Sequence, residues 1–497
     1  MLSKIYVTYA VYKAAIFSVQ QTLSINKAIP ITHRNQSLVF GVLKSYLTAI
    51  PSISHYCHHC FRHYFSYYRP ISITHARSSA SNIACIPVKN TISKSQNNMP
   101  EPLSTPINNA TSWVLKLTIG LIGMFAFLQV YSIQAILPVL MVDLSATEVQ
   151  AGMIVGATVM AIAIMSPFLG MLSDAVGRKS FIVGALLFLA IPTALIAQSP
   201  SIGWMGMWRF MQGLSVPGIT VVTIAYIGEE FEGRAVTELM SFYVSGSVLG
   251  GFMGRFLLGH LHELIGWRAG YYVMAAMTLI GALWVGKMLP SSQQFVANPN
   301  FRSAMQTLGE HLTNRYVVTA CLLGACVLFS LVGCFTFINL HLAKTPYELN
   351  TGALANIFAV YLIGVVITPL STTLLRRFGS ARTVRVAVFV SMIGVLLTLV
   401  TPLWGIIIGL AIMSSGVFIT QAATISYIAV NVKKGRSLAS GLYYMGYYAG
   451  GTMGAWLCGM AYARGQWSLT VWLLLFVQIL ALLVASFGMI KTKSRAA

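Results

Sequence analysis

The chain has 497 residues, of which 56% are hydrophobic and only 9% charged, with a mean hydropathy of +0.74; a soluble domain carries nearer ~25% charged residues, so a soluble globular protein is excluded. The formal net charge of +21 invites a nucleic-acid reading, but the basic residues are scattered among short polar segments between apolar runs and form no continuous basic face. The seven cysteines supply no paired extracellular framework: Cys321, Cys326, Cys334 and Cys458 fall inside apolar runs and read as packing residues.

In chain order, residues 1–112 come first and differ from everything after them. They hold ten Lys and Arg against one acid, Glu101, are rich in Ser, Thr and aromatic residues, and contain no convincing twenty-residue apolar run. Such a composition predicts a basic, disordered N-terminal extension, of targeting-segment type or translated from an upstream start, with Met99 as the candidate true start and residues 1–98 dispensable to the working protein. Cys57-His58-His59-Cys60 has the look of half a zinc site, but no second Cys/His pair frames it, so no metal ligands are assigned.

From residue 113 onward, apolar runs of the ~20 residues that cross a bilayer recur twelve times. They lie near 115–140, 149–171, 179–198, 203–227, 237–261, 267–289, 316–341, 351–375, 383–401, 403–429, 437–461 and 467–490, and are numbered spans 1 to 12. Runs of this length predict helices, because an isolated strand cannot satisfy its backbone in lipid and barrel strands are half as long. The loops after spans 2, 4, 6, 8 and 10, with the C-terminal tail, carry 16 Lys and Arg; the other side carries Arg268, Lys344 and Arg464. The positive-inside rule then places both termini in the cytoplasm. The predicted organisation is an N-terminal six-helix half over 113–289, a cytoplasmic linker over 290–315, a C-terminal half over 316–490 and a tail over 491–497.

Spans 2 and 3 are joined by Gly170-Met171-Leu172-Ser173-Asp174-Ala175-Val176-Gly177-Arg178-Lys179, a charged turn between two apolar runs. Gly177 permits a tight turn, Asp174 can cap a helix start or pair with an arginine, and Arg178 and Lys179 anchor the loop. This resembles the signature loop G-x-L-x-D-R-x-G-R-K of the major facilitator superfamily, departing only at Ala175. The resemblance implies a cytoplasmic gate built on Gly170, Asp174, Gly177, Arg178 and Lys179. Span 4 carries Arg209-Phe210-Met211-Gln212-Gly213, similar to the superfamily's R-x-x-Q-G motif; Arg209, Gln212 and Gly213 share one helical face.

Spans 5 and 11 align without a gap at an offset of 200 residues, so that Tyr243, Gly246, Gly250, Gly251, Gly254, Gly259 and Trp267 meet Tyr443, Gly446, Gly450, Gly451, Gly454, Gly459 and Trp467. Two homologous six-helix halves follow, the arrangement in which halves rock about a central site. The triads Gly246, Gly250, Gly254 and Gly446, Gly450, Gly454 each fall on one face, where a neighbouring backbone can approach. The span 5 triad is similar to the superfamily's antiporter-type fifth-helix motif, without its usual proline and with Arg255 added. A decayed copy of the loop motif, Thr372-x-Leu374-x-Arg376-Arg377-Phe378-Gly379, keeps the turn and basic charge and puts Arg376 at the position of Asp174.

Arg209 and Arg255 lie within spans while no Asp or Glu lies deep in any, which favours a polar or anionic solute over a permanent cation. Asp143 and Glu148, flanking the first outer loop, are the acids placed to fold inward towards either. Arg209, Gln212 and Arg255, with Tyr131, Gln134, Asn339 and Gln421, are the candidate lining of a substrate or proton pathway. Across 113–490 the order of elements resembles the YnfM-type inner-membrane transport proteins, a bacterial branch related to sugar and drug efflux permeases. The segments carrying it are 134–140, 173–179, Glu229-Glu230, Ser245-Gly246 with Gly254-Arg255, and Trp267-Arg268. It implies an all-α polytopic fold of twelve transmembrane helices in two pseudo-symmetric halves, working as a monomer in a bacterial inner membrane. The implied activity is proton-coupled efflux of a small organic solute by alternating access, with the proton gradient as energy source and no cofactor, catalytic residue or metal. The alternatives are a uniporter or symporter for a polar or anionic solute, a membrane-embedded enzyme, or a transporter-like sensor. An enzyme needs convergent His, Asp or Glu within the spans, a nucleotide-driven pump needs a G-x-x-x-x-G-K-[ST] loop, and neither is found.

Overall fold

The computed structural model describes residues 112–292, 309–432 and 436–489, without the side chains of 170–176 and 436–437. The extension with Met99 and the Cys57–Cys60 cluster, most of the 290–315 linker, the Asp174 side chain and the 491–497 tail lie outside the described residues. Contacts separate residues 1–100 from 101–497, and the described residues all belong to the second unit.

That unit is helical throughout. Nine helices among the described residues are long and apolar enough to cross a membrane, and a bent pair, Trp113–Leu128 with Ser132–Asp143 at 44°, makes a tenth span. Two of the nine are too long for one crossing. Arg234–Met288 has 55 residues and Arg436–Gly488 has 53, about 80 Å at 1.5 Å per residue against a hydrocarbon core of ~30 Å. Each is broken near its middle, at Gly266 with φ 80° and at Gly465-Gln466, where Gln466 takes φ 53°. Counted as the pairs of spans 5–6 and 11–12, they bring the total to twelve.

Local chemistry sets the boundaries. The helix Glu148–Val176 starts on a reciprocal cap, with the Thr147 amide donating to Gln150 Oε1 at 2.9 Å and the Gln150 amide to Thr147 Oγ1 at 3.3 Å. Asn314 and Asn350 cap spans 7 and 8 by accepting from the amides of Tyr316 and Ala353. Between spans 2 and 3 a single residue, Gly177 at φ 94°, reverses the chain; between Ile363–Phe378 and Ser380–Leu397, Gly379 does the same at φ 74°. This backbone region favours glycine, so the turn survives in the second half although its acid does not.

The 200-residue repeat is realised as packing. A Cβ on Gly246, Gly250 or Gly254 would overlap the carbonyl oxygens of Gly120, Met124 and Leu128 in span 1, while Gly450 and Gly454 face the carbonyls of Ala325 and Phe329 in span 7. Gly446 is looser, with its nearest atom, Cys321 Cβ, at 3.0 Å. Span 5 therefore lies on span 1 as span 11 lies on span 7. Each half closes its own core this way, since close backbone approach replaces hydrophobic driving force between helices in lipid.

Candidate functional site

Span 1 is broken where it matters. Its first helix ends at Leu128, a 3₁₀ turn runs over Ser132–Ile136, and helix resumes at Leu137–Asp143 with Pro138 in its first turn. Pro138 has no amide for the carbonyl of Gln134. That carbonyl accepts instead from Asn339 Nδ2 of span 7 at 3.0 Å. The break also frees the carbonyls of Gln129 and Val130, which in lipid must find donors within the protein. Arg209 supplies them: Nη1 donates to Gln129 O at 2.7 Å and Nη2 to Val130 O, with Nε reaching Ile154 O at 3.4 Å.

Gln212 completes this arrangement. Its Oε1 accepts from Arg209 Nη1 at 2.8 Å and its Nε2 donates to Thr193 Oγ1 at 2.8 Å, so the face predicted from the i, i+3 spacing is a fixed side-chain pair. Gly213 lies against the carbonyl of Thr158 in span 2, where any Cβ would overlap. Both Arg209 and Gln212 are fully buried.

Arg255 forms a second centre. Its Nε donates to Gln134 Oε1 at 2.8 Å and its Nη1 to Gly251 O. The guanidinium carbon lies 4.7 Å from the Tyr131 ring centroid, 4.6 Å from Phe358 and 4.6 Å from Tyr361, so an arginine of the first half is enclosed by one ring of its own half and two of the second. Gln134 also donates to Thr336 Oγ1 at 2.8 Å. Gln134, Arg255, Thr336 and Asn339 are each at most 1% exposed, and together they form a plug joining the halves.

Further towards the ends that carry Arg268 and Lys344, a second set of contacts crosses between the halves. Glu263 Oε1 accepts from the Gly352 amide at 2.7 Å, at the start of the helix Thr351–Ile357, and Thr351 Oγ1 donates to Gly259 O at 3.2 Å. His260 and Asn356 approach to 3.1 Å. The acids flanking the first outer loop stay at this surface: Asp143 accepts from Trp267 Nε1 at 2.8 Å and Glu148 pairs with Lys344 at 3.8 Å. Neither neutralises an intramembrane arginine. Among the described residues no ion pair involves Arg209 or Arg255.

Below the plug lies a cavity of about 440 Å³, within the range of small-molecule sites. Its wall comes from both halves and contains six tyrosines, Tyr131, Tyr243, Tyr361, Tyr444, Tyr447 and Tyr448, together with hydroxyls such as Ser247 and the amide of Gln421, and no charged side chain. It reaches Ile224, Val244 and Ile425, within about three turns of the basic ends of spans 4, 5 and 10. Val244 there is 48% exposed, so the cavity is capped by the plug and open towards the basic end. Of the residues chosen from sequence, Tyr131 and Gln421 stand in the wall, while Arg209, Gln212, Gln134, Arg255 and Asn339 lie behind it. The five other tyrosines were missed; the signal was the pattern Tyr444, Tyr447, Tyr448 on one helical face.

At the basic end, Arg178 grips Glu229 with two bonds, Nε to Oε2 at 2.9 Å and Nη2 to Oε1 at 2.5 Å. The loop arginine thereby ties the start of span 3 to the end of span 4 through a bidentate pair.

Residues 119–435 match the profile of the Major Facilitator Superfamily. The chain belongs to that superfamily. An uncharacterised transporter of Buchnera aphidicola subsp. Schizaphis graminum is 28% identical over 374 residues, 74% of this chain and 90% of the relative. The inner membrane transport protein YnfM of Escherichia coli strain K12 is 28% identical over 385 residues, 76% and 92% of the two chains. Among solved structures, a bacterial homologue of the human lysosomal transporter Spinster, inward-facing and occupied, superposes with a TM-score of 0.63 at 16% identity over 77% of this chain and 98% of that one. As a superfamily member the chain is a multi-pass membrane protein and a secondary transporter of a small solute, not an enzyme.

Proposed function

We propose that this superfamily member exports a small organic solute from the cytoplasm by proton antiport, with the tyrosine-walled cavity as its binding site. The observation that carries this reading is a cavity of solute size, built by both halves, capped at one end and open at the basic end, which the positive-inside rule assigns to the cytoplasm. The likeness to YnfM supports a bacterial inner membrane with both termini cytoplasmic. Residues 113–289 and 316–490 are the rocking halves, linked by 290–315, and the chain works as a monomer. Gly170, Asp174, Gly177, Arg178 and Lys179 form the cytoplasmic gate, for which the Arg178–Glu229 pair is the supporting contact. Arg209, Gln212, Gln134, Arg255 and Asn339 act on the pathway from behind the wall, by fixing the span 1 break and the plug.

A second reading, uniport, draws on a specific observation: the polar groups of the cavity wall are hydroxyls and one amide, none of which titrates as a carboxylate does. Proteoliposomes separate the two. Counterflow across a solute panel identifies the cargo, and an imposed pH gradient then drives its accumulation if the proton is the coupling ion. Counterflow that ignores the gradient leaves uniport; absence of counterflow for every solute overturns transport.

The contacts beyond the plug predict a conformational bias. Glu263 on the Gly352 amide is a charge-assisted bond at a helix start, about twice as strong as a neutral one. Glu263→Gln is expected to move the population about five- to tenfold towards the state open at this end. Ala355, buried against Gly259, reports it: Ala355→Cys should react correspondingly faster with an impermeant maleimide in the Gln background, above the native cysteines. An unchanged rate reduces the contact to an incidental one.

A further inference from the structure

We propose that the cavity selects a small organic anion with a planar aromatic ring, its π face on the tyrosines of span 11 and its carboxylate towards Tyr131 and Tyr361. The proposal rests on the cavity being the solute site and adds the class of solute.

Charge sets the sign. Arg255 is 1% exposed and its hydrogen bonds go to a neutral amide, a backbone carbonyl and the neutral side chain of Tyr361. Arg209, fully buried, is bonded likewise to carbonyls and an amide. Among the described residues neither has an acidic partner within ion-pair distance, and the cavity wall contributes no charge of its own. The potential inside the cavity is therefore positive. At an effective dielectric of ~20, one unit charge set behind a ring changes the affinity for an anion by roughly ten- to thirtyfold.

The rings set the shape. Tyr444, Tyr447 and Tyr448 occupy positions i, i+3 and i+4 of span 11, all in the wall. Tyr444 and Tyr448 stack with centroids 6.3 Å apart at 28°, and Tyr447 stands edge-on to Tyr448 at 5.3 Å and 87°. This gives a rigid aromatic surface of low entropy cost on binding. Tyrosine clusters elsewhere receive cations, but here one face each of Tyr131 and Tyr361 is already occupied by Arg255 at 4.7 and 4.6 Å. A second cation would meet like charge, whereas a carboxylate would meet hydroxyls on rings backed by a guanidinium. A volume of about 440 Å³ accommodates one or two fused rings with bridging water.

The test is equilibrium binding to the purified full chain in nanodiscs, by calorimetry, of four probes: 1-naphthoate, 1-naphthamide, 1-naphthylmethylamine and cyclohexanecarboxylate. Naphthoate is expected to bind at least tenfold tighter than the amide and the aliphatic acid, with no binding of the amine. Arg255→Gln should bring acid and amide level, and Arg255→Lys should keep the preference; if the Gln variant does not fold, the Lys variant and the unaltered chain still decide. Tyr448→Leu should weaken naphthoate while leaving the acid-to-amide ratio. The proposal is overturned if amide or amine binds as well as the acid, if the aliphatic acid matches naphthoate, or if no aromatic anion binds. Naphthoate binding without counterflow of any solute would overturn the transporter reading alone; counterflow of a cation or sugar with no carboxylate binding would overturn the solute class alone.

Discussion

Arg209→Ala is expected to abolish transport and to destabilise the N-terminal half. Truncation strips the donors from the Val130 carbonyl and Gln212 Oε1 and leaves the Gln129 carbonyl with Ser132 Oγ alone. Each orphaned buried group costs ~1–3 kcal/mol, and no water is at hand in a fully buried site within the membrane. The break in span 1 then loses the contacts that set its 44° bend, and with them the position of Tyr131 in the cavity wall. Arg209→Lys should recover only part of the activity, since an ammonium cannot reach two successive carbonyls and an amide with the fixed fork of a guanidinium. The checks are the initial rate of counterflow in proteoliposomes and the thermal midpoint in detergent. A native rate with a native midpoint for the Ala variant removes Arg209 from both pathway and scaffold.

Gly250→Val is expected to be a severely damaging change in span 5. Its Cβ would overlap the carbonyl oxygen, carbonyl carbon and Cα of Met124, and backbone atoms cannot yield by changing rotamer. Overpacking in a core costs ~1–3 kcal/mol where side chains can shift; here the two helices must part along their length, so little folded protein should survive. Gly184→Ala is the control, because a Cβ at this position would have no atom within 4 Å and alanine is the better helix former. Monodispersity on size exclusion and transport rate are the readouts. Normal folding of the Val variant would show that spans 1 and 5 are not held by backbone contact.

The amino-acid sequence alone determined that this is a helical membrane protein with twelve apolar runs, two related halves and a reversing glycine after span 2, because each of these is written in local pattern. Run length against bilayer thickness gives the spans, the 200-residue offset gives the halves, and helical spacing puts Arg209 beside Gln212, where they are bonded. Which polar residues meet the cavity was decided only by tertiary structure. A span that is apolar nearly all round carries little signal for its rotation about its own axis, so nothing local tells that Tyr131 and Gln421 face inward while Gln134 and Asn339 are spent on the plug. Arg255 shows the same limit. From sequence it is a charge in an outer half-span, and it becomes the back wall of the site only because span 8, some hundred residues away, lays Phe358 and Tyr361 over it. Glu263 reads as an ordinary helix-end acid until the start of span 8 is brought against it. Contacts between halves depend on how two six-helix units dock, and docking is fixed by the sum of many small close approaches that no single segment encodes.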